Sequence, residues 1–176
     1  SKVLIAIPTV CENEFLKIEN DCKDKINFTV SVWDTDSINF MDKYEVPFLK
    51  IPSANLTNDE LIISVCKRKI PILLSTGMST LKEIDHAVKL VRKYTNNFAL
   101  LHCNSSYPAA IQELNLKTIG TLRKRYKCVV GYSGHEFGLV TTTAAVFLGL
   151  KIIERHVTLS RTMWGTDQMA SVEPQG

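Results

Sequence analysis

Short apolar stretches alternate with amphipathic stretches along most of the chain. Each apolar stretch is rich in β-branched residues and is followed by polar or small residues and then by a helical pattern. The stretches are Asn27–Trp33, Pro47–Ile51, Pro71–Ser75, Phe98–His102, Cys128–Tyr132 and Lys151–Glu154. Continuous apolar runs separated by helices are typical of a parallel sheet that is buried on both faces. The pattern predicts at least six successive β-α units.

Capping signals mark where the intervening helices begin and end. Thr80 and Thr57 each stand three residues before a glutamate, which is the spacing of a capping box. Asn115 is placed to cap a third helix, and Gly149 would close a small-residue helix over Gly138–Leu148. A right-handed succession of such units makes either an open doubly wound sheet or part of a (β/α)8 barrel.

The amino-terminal part of the chain fits one further unit of the same kind. Val3–Ile7 has the composition of a strand, and Glu12–Cys22 has that of the helix after it. Together they would bring the number of strands to seven.

Composition and charge narrow the class of protein. The chain has 176 residues, 45% of them hydrophobic and 22% charged, which suits one folded domain. Its net charge of +3 is too small to argue for a nucleic acid or membrane partner. No apolar run approaches the roughly 18 residues of a membrane span. Five cysteines without a Cys-x-x-Cys pair predict reduced thiols in a cytoplasmic protein.

The candidate chemistry lies at the carboxyl ends of the predicted strands, where both architectures bind ligands. The residues there are mainly hydroxyls, a lysine and histidines: Ser31, Trp33, Asp34, Lys50, Ser53, Ser75, Thr76, Gly77, His102, Asn104, Ser105, Tyr107, Ser133, His135, Glu154, Arg155 and His156. This composition suits an oxyanion together with a metal ion. Glu154 and Arg155 are interpreted most simply as an ion pair at a strand end, and Glu154 could also hold a metal-bound histidine in place.

Two histidines follow strands that are consecutive in the chain. His135 and His156 should therefore be neighbours, and two imidazoles suit a divalent ion such as Mn²⁺ whose other ligands are water and substrate oxygens. The alternative is that each is a hydrogen-bonded histidine near the sheet edge, and their spacing alone does not decide. His102 lies inside an apolar run and is interpreted as a core residue, whereas His86 is interpreted as a surface residue.

Lys50 interrupts an apolar run, and a buried ammonium needs a partner. A bound phosphate or carboxylate, or a buried acidic side chain, would supply one; otherwise the ammonium reaches solvent at the strand end. Ser75–Gly77 connects a strand to a capped helix, where backbone N–H groups favour an anion. Such turns also occur for purely geometric reasons.

Taken together, the motifs resemble those of the sialic acid synthase family, which includes legionaminic and pseudaminic acid synthases. Its members make nine-carbon 2-keto sugar acids from phosphoenolpyruvate and an N-acyl hexosamine. The resemblance runs from about Phe28 to Gly176 and is carried by Phe48–Ala54, Ile72–Met78, Leu100–Pro108, Gly131–Glu136, Glu154–Thr158, Gly165–Asp167 and Ala170–Pro174.

The resemblance implies an α/β fold of the (β/α)8 TIM-barrel family. At this length we expect an incomplete barrel of six or seven β-α units, forming a single catalytic domain over residues 1–176. The family's carboxyl-terminal antifreeze-like domain would be absent. Ser1–Asp24 shows no match to the glutamate and lysine motifs of the family's first two strands. A homodimer is also implied.

The resemblance further assigns roles to individual residues. His135 and His156 stand at metal-ligand positions, with Mn²⁺ favoured and Mg²⁺ or Co²⁺ as alternatives. The hydroxyls at positions that surround phosphoenolpyruvate are those of Ser31, Ser53, Ser75, Ser105 and Ser133. The catalytic candidates are Lys50, on the phosphoenolpyruvate side, and Tyr107 and Asp167, on the sugar side.

The implied function is a metal-dependent condensation of phosphoenolpyruvate with an N-acetylmannosamine-type sugar, which yields a nine-carbon 2-keto sugar acid and phosphate. Two alternatives remain open at this point. One is a non-catalytic or truncated remnant that binds metal and phosphoenolpyruvate without turnover. The other is a synthase for a different aldose.

Overall fold

The computed structural model describes residues 5–6 and 12–176, in which seven strands alternate with six helices. The strands are β1 (Ile5–Ala6), β2 (Phe28–Thr29), β3 (Leu49–Ile51), β4 (Ile72–Ser75), β5 (Phe98–Cys103), β6 (Val129–Gly134) and β7 (Ile153–Arg155). The helices are α1 (Glu12–Cys22), α2 (Thr35–Met41), α3 (Asp59–Cys66), α4 (Leu81–Val91), α5 (Lys117–Tyr126) and α6 (Val140–Phe147). Short 3-10 helices are Ser53–Asn55, Ile111–Glu113 and Gln168–Ala170. The predicted succession of β-α units is confirmed.

The chain folds as two compact units. The first contains the described residues up to Leu74 together with Leu81–Phe98, and the second contains Ser75–Thr80 and Ala99–Gly176. Within the first unit, β1 pairs with β2 and β3 pairs with β4, both in parallel. Within the second, β6 pairs in parallel with β5 and with β7. Parallel pairing throughout is what the unbroken apolar runs predict.

A cluster of aromatic side chains packs together in the first unit. Phe15 of α1 lies 4.9 Å from the ring of Phe28 in β2, 5.1 Å from Phe40 and 4.5 Å from Tyr44. Rings at these centroid distances and steep angles make favourable edge contacts. They pack α1 and α2 against the start of β2.

In the second unit, β6 passes through a gap that admits no side chain at one position. A Cβ atom on Gly131 would lie 2.6 Å from the carbonyl oxygen of Ile152 and 2.6 Å from a methyl group of Leu101. Glycine at this position therefore lets β6 lie close to the segments on either side of it.

Two predicted helix caps are wrong. Helix α3 is capped by Asn58 rather than Thr57, because the Asn58 side chain accepts a hydrogen bond from the backbone N–H of Leu61 at 3.1 Å. Asn115 does not cap α5: it adopts a left-handed conformation with φ of 46°, and its side chain donates to the carbonyl of Glu113. An asparagine in a tight turn binds nearby backbone groups as readily as it caps a helix.

Three further predictions concern where elements begin and end. Gly149 has φ of 80°, and its N–H donates to the carbonyl of Val146, which confirms it as the glycine that ends α6. The run Asn27–Trp33 forms only the short strand β2 and a parallel bridge at Ser31. Part of the amino-terminal strand expected at Val3–Ile7 lies outside the described residues.

The structure also bears on the cysteines and on a possible membrane span. Cys22, Cys66, Cys103 and Cys128 form no disulfide bond, and Cys11 lies outside the described residues. In the part of the chain that the structure describes, no helix has both the length and the apolar character needed to cross a bilayer.

Candidate functional site

The residues singled out by the sequence are divided between the two units. Ser31, Lys50 and Ser53 lie in the first unit. The second unit contains Ser75, Ser105, Tyr107, Ser133, His135, His156 and Asp167.

In the first unit, Ser31 and Lys50 are direct neighbours across a parallel bridge. The backbone N–H of Val32 donates to the Lys50 carbonyl at 2.9 Å, and the Lys50 N–H donates to the Val30 carbonyl at 3.2 Å. The backbone of Lys50 is thus fixed on this side, while its side chain is partly exposed. Ser53, also partly exposed, begins the short 3-10 helix after β3.

In the second unit, His135 follows the end of β6 and is only 5% exposed. Its Nδ1 lies 2.5 Å from the carbonyl oxygen of Asn104, in the loop after β5. Its Nε2 lies 3.0 Å from the hydroxyl of Tyr107 and 3.2 Å from that of Ser133. The Tyr107 ring stacks on the imidazole at 4.2 Å between centroids. The ring is therefore fixed in both position and orientation.

The partners of His135 define its tautomer. A carbonyl oxygen can only accept, so the Nδ1–H donates to Asn104 and Nε2 carries the lone pair. Burial, assisted by the neighbouring Cys103, Asp167 and Glu154, raises the pKa of Tyr107. The phenol thus stays protonated at neutral pH and donates a hydrogen bond to Nε2.

His156 follows β7 and completes a cluster of three rings. Its imidazole lies 5.3 Å from that of His135 and 5.4 Å from the Tyr107 ring. Its Nδ1 lies 3.6 Å from Oδ2 of Asp167, and the other carboxylate oxygen, Oδ1, accepts a hydrogen bond from the Thr166 hydroxyl at 2.8 Å. The predicted proximity of the two histidines is confirmed.

These side chains fit a divalent metal ion. An imidazole that donates Nδ1–H to a carbonyl and keeps its Nε2 lone pair is the arrangement found in metal-ligating histidines. Within residues 12–176, no group of three or more His, Cys, Asp and Glu side chains is arranged to hold a metal. The protein would supply the imidazoles of His135 and His156, and water and substrate oxygens would fill the other positions.

Ser75 adds a polar group that lacks a partner. It ends β4 and is 2% exposed, and its hydroxyl has no hydrogen-bond partner among the described residues. The next residue, Thr76, differs because both its N–H and its hydroxyl donate to the carbonyl of Leu101. Leaving a buried hydroxyl unsatisfied is unfavourable, so a ligand oxygen would stabilise Ser75. Ser105 is partly exposed in the loop after Asn104.

The other two histidines agree with their interpretation from the sequence. His102 is 9% exposed within β5, and its Nε2 lies 2.7 Å from the Leu114 carbonyl. Burial lowers the pKa of His102. His86 is exposed on α4, where its Nε2 lies 2.8 Å from Asp59.

Two features of this site are not among the predictions from the sequence. One is the Asn104 carbonyl as the partner of His135, and the other is the buried carboxylate of Glu136. That carboxylate accepts a hydrogen bond from the Tyr132 hydroxyl at 2.7 Å and lies 3.1 Å from Arg155. The sequence suggests Glu154 as the partner of Arg155, whereas the carboxylate that the structure shows beside its Nη1 is that of Glu136. One signal was available: each candidate histidine has a charged residue next to it, Glu136 after His135 and Arg155 before His156.

The chain is similar in sequence to a family of sugar-acid synthases. The model of the NeuB family matches residues 8–176. The N-acetylneuraminate-9-phosphate synthase of Drosophila melanogaster is 38% identical over 167 residues, covering 93% of this chain and 45% of that protein. The N,N'-diacetyllegionaminic acid synthase of Legionella pneumophila is 36% identical over 179 residues, covering 99% of this chain and 50% of that protein.

Solved structures share the fold. The N-acetylneuraminic acid synthetase of Leptospira borgpetersenii, solved with citrate, superimposes with a TM-score of 0.90 at 35% identity, over 94% of this chain and 59% of that one. A truncated 3-deoxy-D-arabino-heptulosonate 7-phosphate synthase of Thermotoga maritima gives a TM-score of 0.79 at 17% identity, over 94% and 68%, which shows the fold alone.

The alternating parallel strands and helices, together with the likeness to solved synthases, confirm the predicted α/β fold of the barrel family. The chain spans about half the length of the curated relatives it matches. Because the family model covers nearly all of it, the chain belongs to the NeuB family.

Proposed function

We propose that this chain carries part of the catalytic site of a sugar-acid synthase. The reaction would join phosphoenolpyruvate to an open-chain N-acetylmannosamine-type sugar, giving a nine-carbon 2-keto sugar acid and phosphate. The observation that carries the proposal is the ring cluster of His135, Tyr107 and His156, in which a carbonyl fixes the His135 tautomer. It occurs in a chain whose relatives are named as sialic and legionaminic acid synthases.

His135 and His156 would hold the divalent ion, with Mn²⁺ favoured over Mg²⁺ or Co²⁺. When bound, such an ion polarises a carbonyl oxygen as a Lewis acid. The Asn104 carbonyl keeps the His135 lone pair on Nε2, and the carboxylate of Asp167 faces Nδ1 of His156. These contacts orient both rings before any ligand arrives, which reduces the reorganisation that binding requires.

Phosphoenolpyruvate would be held through its phosphate and carboxylate. Lys50 would provide the positive charge, because an ammonium binds phosphate oxygens as a compact point charge. The hydroxyls proposed to donate hydrogen bonds are those of Ser31, Ser53, Ser75, Ser105 and Ser133. The buried hydroxyl of Ser75 supports this role, because a ligand oxygen would satisfy it.

The proposed reaction then proceeds by carbon–carbon bond formation. The enol carbon of phosphoenolpyruvate attacks the aldehyde carbon of the sugar, whose oxygen takes up a proton and becomes a hydroxyl. Water adds to the carbon that bears the phosphate and loses a proton. The bond between that carbon and the phosphate oxygen then breaks, and its electron pair leaves with the phosphate. The new hydroxyl gives up its proton to the departing phosphate, and the 2-keto group forms. Holding both substrates in line accounts for much of the rate.

Tyr107 is proposed to act on the sugar side of this site. Its raised pKa keeps the phenol protonated, so it does not act as a base near neutral pH. Once Nε2 of His135 binds a metal ion, its lone pair can no longer accept from the phenol, and the O–H would then donate a hydrogen bond to the sugar. Asp167 would accept hydrogen bonds from sugar hydroxyls, and the exposure of more than half of its side chain supports this role.

An assay of phosphate release tests the proposal. The chain is incubated with Mn²⁺, phosphoenolpyruvate and N-acetylmannosamine, and we expect release that requires all three. Metal and phosphoenolpyruvate binding without release would favour the non-catalytic alternative. Release with another aldose in place of N-acetylmannosamine would identify a different sugar specificity.

The role of Lys50 is tested by binding. Lys50→Ala removes a charge-assisted contact and should weaken phosphoenolpyruvate binding by roughly 10- to 100-fold in calorimetry. Lys89→Ala, at an exposed position on α4, serves as the control and should bind as the wild type does. Equal affinity of the Lys50 variant and the wild type would contradict the proposed role.

A further inference from the structure

A buried ion pair lies directly beside the two candidate metal ligands in the chain. Glu136 follows His135, and Arg155 precedes His156. Nη1 of Arg155 lies 3.1 Å from Oε1 of Glu136, and the two side chains are 8% and 0% exposed. Each charge is thus shielded from water and depends on protein partners for its stabilisation.

Arg155 binds more than its carboxylate partner. Its Nη1 also donates to the hydroxyl of Thr142 at 2.7 Å and to the carbonyl of Gly138 at 2.8 Å. Its Nη2 donates to the carbonyls of Glu136 at 2.8 Å and Ala170 at 3.1 Å. One planar guanidinium therefore joins β7 to the segment after β6 and to the 3-10 helix Gln168–Ala170.

These segments carry the polar groups of the candidate site. The segment after β6 begins with His135, β7 leads into His156, and the 3-10 helix follows Asp167. Backbone bonds extend the connection, because the N–H of Val172 donates to the His156 carbonyl at 2.8 Å. Arg155 thus contacts each of the segments that adjoin the two imidazoles.

The carboxylate of Glu136 is equally constrained. Its Oε2 accepts from the Tyr132 hydroxyl at 2.7 Å, and its Oε1 accepts from the Thr142 hydroxyl at 2.9 Å. Buried ion pairs contribute little net stability compared with apolar packing, because both charges lose their hydration. The pair nevertheless makes several directed hydrogen bonds, through both carboxylate oxygens of Glu136 and through Nη1 and Nη2 of Arg155, while Nε of Arg155 has no partner among the described residues. Such a network holds its neighbours in one arrangement.

We propose that Arg155 and Glu136 are positioning residues for the His135–His156 metal site. They touch neither the ion nor a substrate and act by fixing the distance and orientation of the two imidazoles. This inference rests on the proposed metal-binding function of the two histidines. The loss of partners that orient metal ligands typically lowers metal affinity by about 10- to 100-fold.

The test measures Mn²⁺ affinity and stability separately in the full chain. Arg155→Lys keeps the charge but loses the planar fork, and Glu136→Gln keeps the shape but loses the charge. The dissociation constant is obtained from the electron paramagnetic resonance signal of free Mn²⁺, at a temperature where thermal melts show each variant to be fully folded. We expect both variants to bind Mn²⁺ about 10- to 100-fold more weakly than the wild type.

Arg68→Lys is the matched control. Arg68 lies in the first unit and also binds an acidic side chain, that of Asp42, with contacts of 2.9 and 2.7 Å. Its variant should bind Mn²⁺ as the wild type does. Affinities equal to that of the wild type in folded Arg155→Lys and Glu136→Gln would overturn the proposal, since a role in stability alone lowers the melting temperature without changing affinity.

Milder variants decide the question if those two do not fold. Tyr132→Phe and Thr142→Val each remove one hydroxyl from Glu136 and leave the ion pair in place. Each should weaken Mn²⁺ binding by a few fold in the folded protein, and unchanged affinity in both would overturn the proposal. If the wild type binds no Mn²⁺, or if His135→Ala and His156→Ala bind it normally, the metal site itself is wrong and the positioning role falls with it.

Discussion

The ends of β5 and β6 each bring a buried histidine to a backbone carbonyl, yet the two rings are suited to different chemistry. His102 is 9% exposed and His135 is 5% exposed. Each has one ring nitrogen within 2.7 Å of a carbonyl oxygen, that of Leu114 or that of Asn104. Burial and a carbonyl partner therefore do not distinguish a core histidine from a candidate ligand.

The difference lies in which nitrogen is anchored and in what surrounds the ring. Nε2 is the anchored atom in His102, whose ring lies 6.2 Å from that of Tyr132. Nδ1 is the anchored atom in His135, and its Nε2 faces the hydroxyls of Tyr107 and Ser133 beside a second imidazole. A candidate ligand is thus recognised by the polar groups around its lone pair.

The largest expected effect separates the two histidines by metal affinity. His135→Ala or His156→Ala should abolish Mn²⁺ binding in calorimetry, because each variant removes one of two proposed protein ligands. His102→Ala should bind Mn²⁺ as the wild type does. Retained affinity in the His135→Ala, His156→Ala double variant would contradict the metal assignment.

A second effect concerns stability. His102→Ala leaves a cavity in β5 and an unsatisfied Leu114 carbonyl, which should lower the free energy of unfolding by about 2–4 kcal/mol. Urea denaturation measures this loss. His86→Ala, at an exposed position, should change it by less than about 1 kcal/mol. Equal stabilities of the two variants would show that His102 is not a core residue.

The third effect is a pH dependence caused by His102. Burial lowers its pKa in the folded protein below the unfolded value of about 6.5, so the unfolded chain binds more protons near that pH. Its contribution to stability is complete above pH 6.5 and is lost as the pH falls towards the folded pKa. Thermal melts from pH 8 to 5 should show a smaller loss in His102→Gln than in the wild type. Identical pH profiles would contradict this explanation.

The smallest effect is expected at Tyr107. Tyr107→Phe keeps the ring stacked on His135 and removes only the hydroxyl from Nε2. Stability should fall by no more than about 1.5 kcal/mol, and Mn²⁺ affinity should change by no more than about threefold. A large loss of affinity would show that the hydroxyl itself takes part in metal binding.

Local pattern was enough to predict most of the fold. The apolar runs that became β3, β4, β5 and β6 were identified because continuous burial on both faces leaves a clear signature. Helix starts were less predictable, since Asn58 and Thr57 are both good caps and tertiary packing chooses between them. Asn115 shows the same competition between a cap and a turn.

The proximity of the site residues was predictable, but their partners were not. His135 and His156 follow paired parallel strands, so their closeness follows from topology. The contacts of Arg155 with Glu136 and Ala170 join segments 19 and 15 residues away, and they depend on strand register and loop path. Neither quantity can be read from spacing along the chain.

The close packing around Gly131 in β6 limits which substitutions the chain can tolerate near this site. A methyl group on Gly131 would collide with the backbone of Ile152 and with Leu101, and relief of that collision would shift the strand that carries Ser133 and leads to His135. In a saturation mutagenesis library, Gly131 should tolerate replacement as poorly as a ligand does. Substitutions at such a position fail because the backbone leaves no room for a side chain, although the residue has no chemical role. A mutational map of this chain would therefore mark more positions as essential than the reaction itself requires.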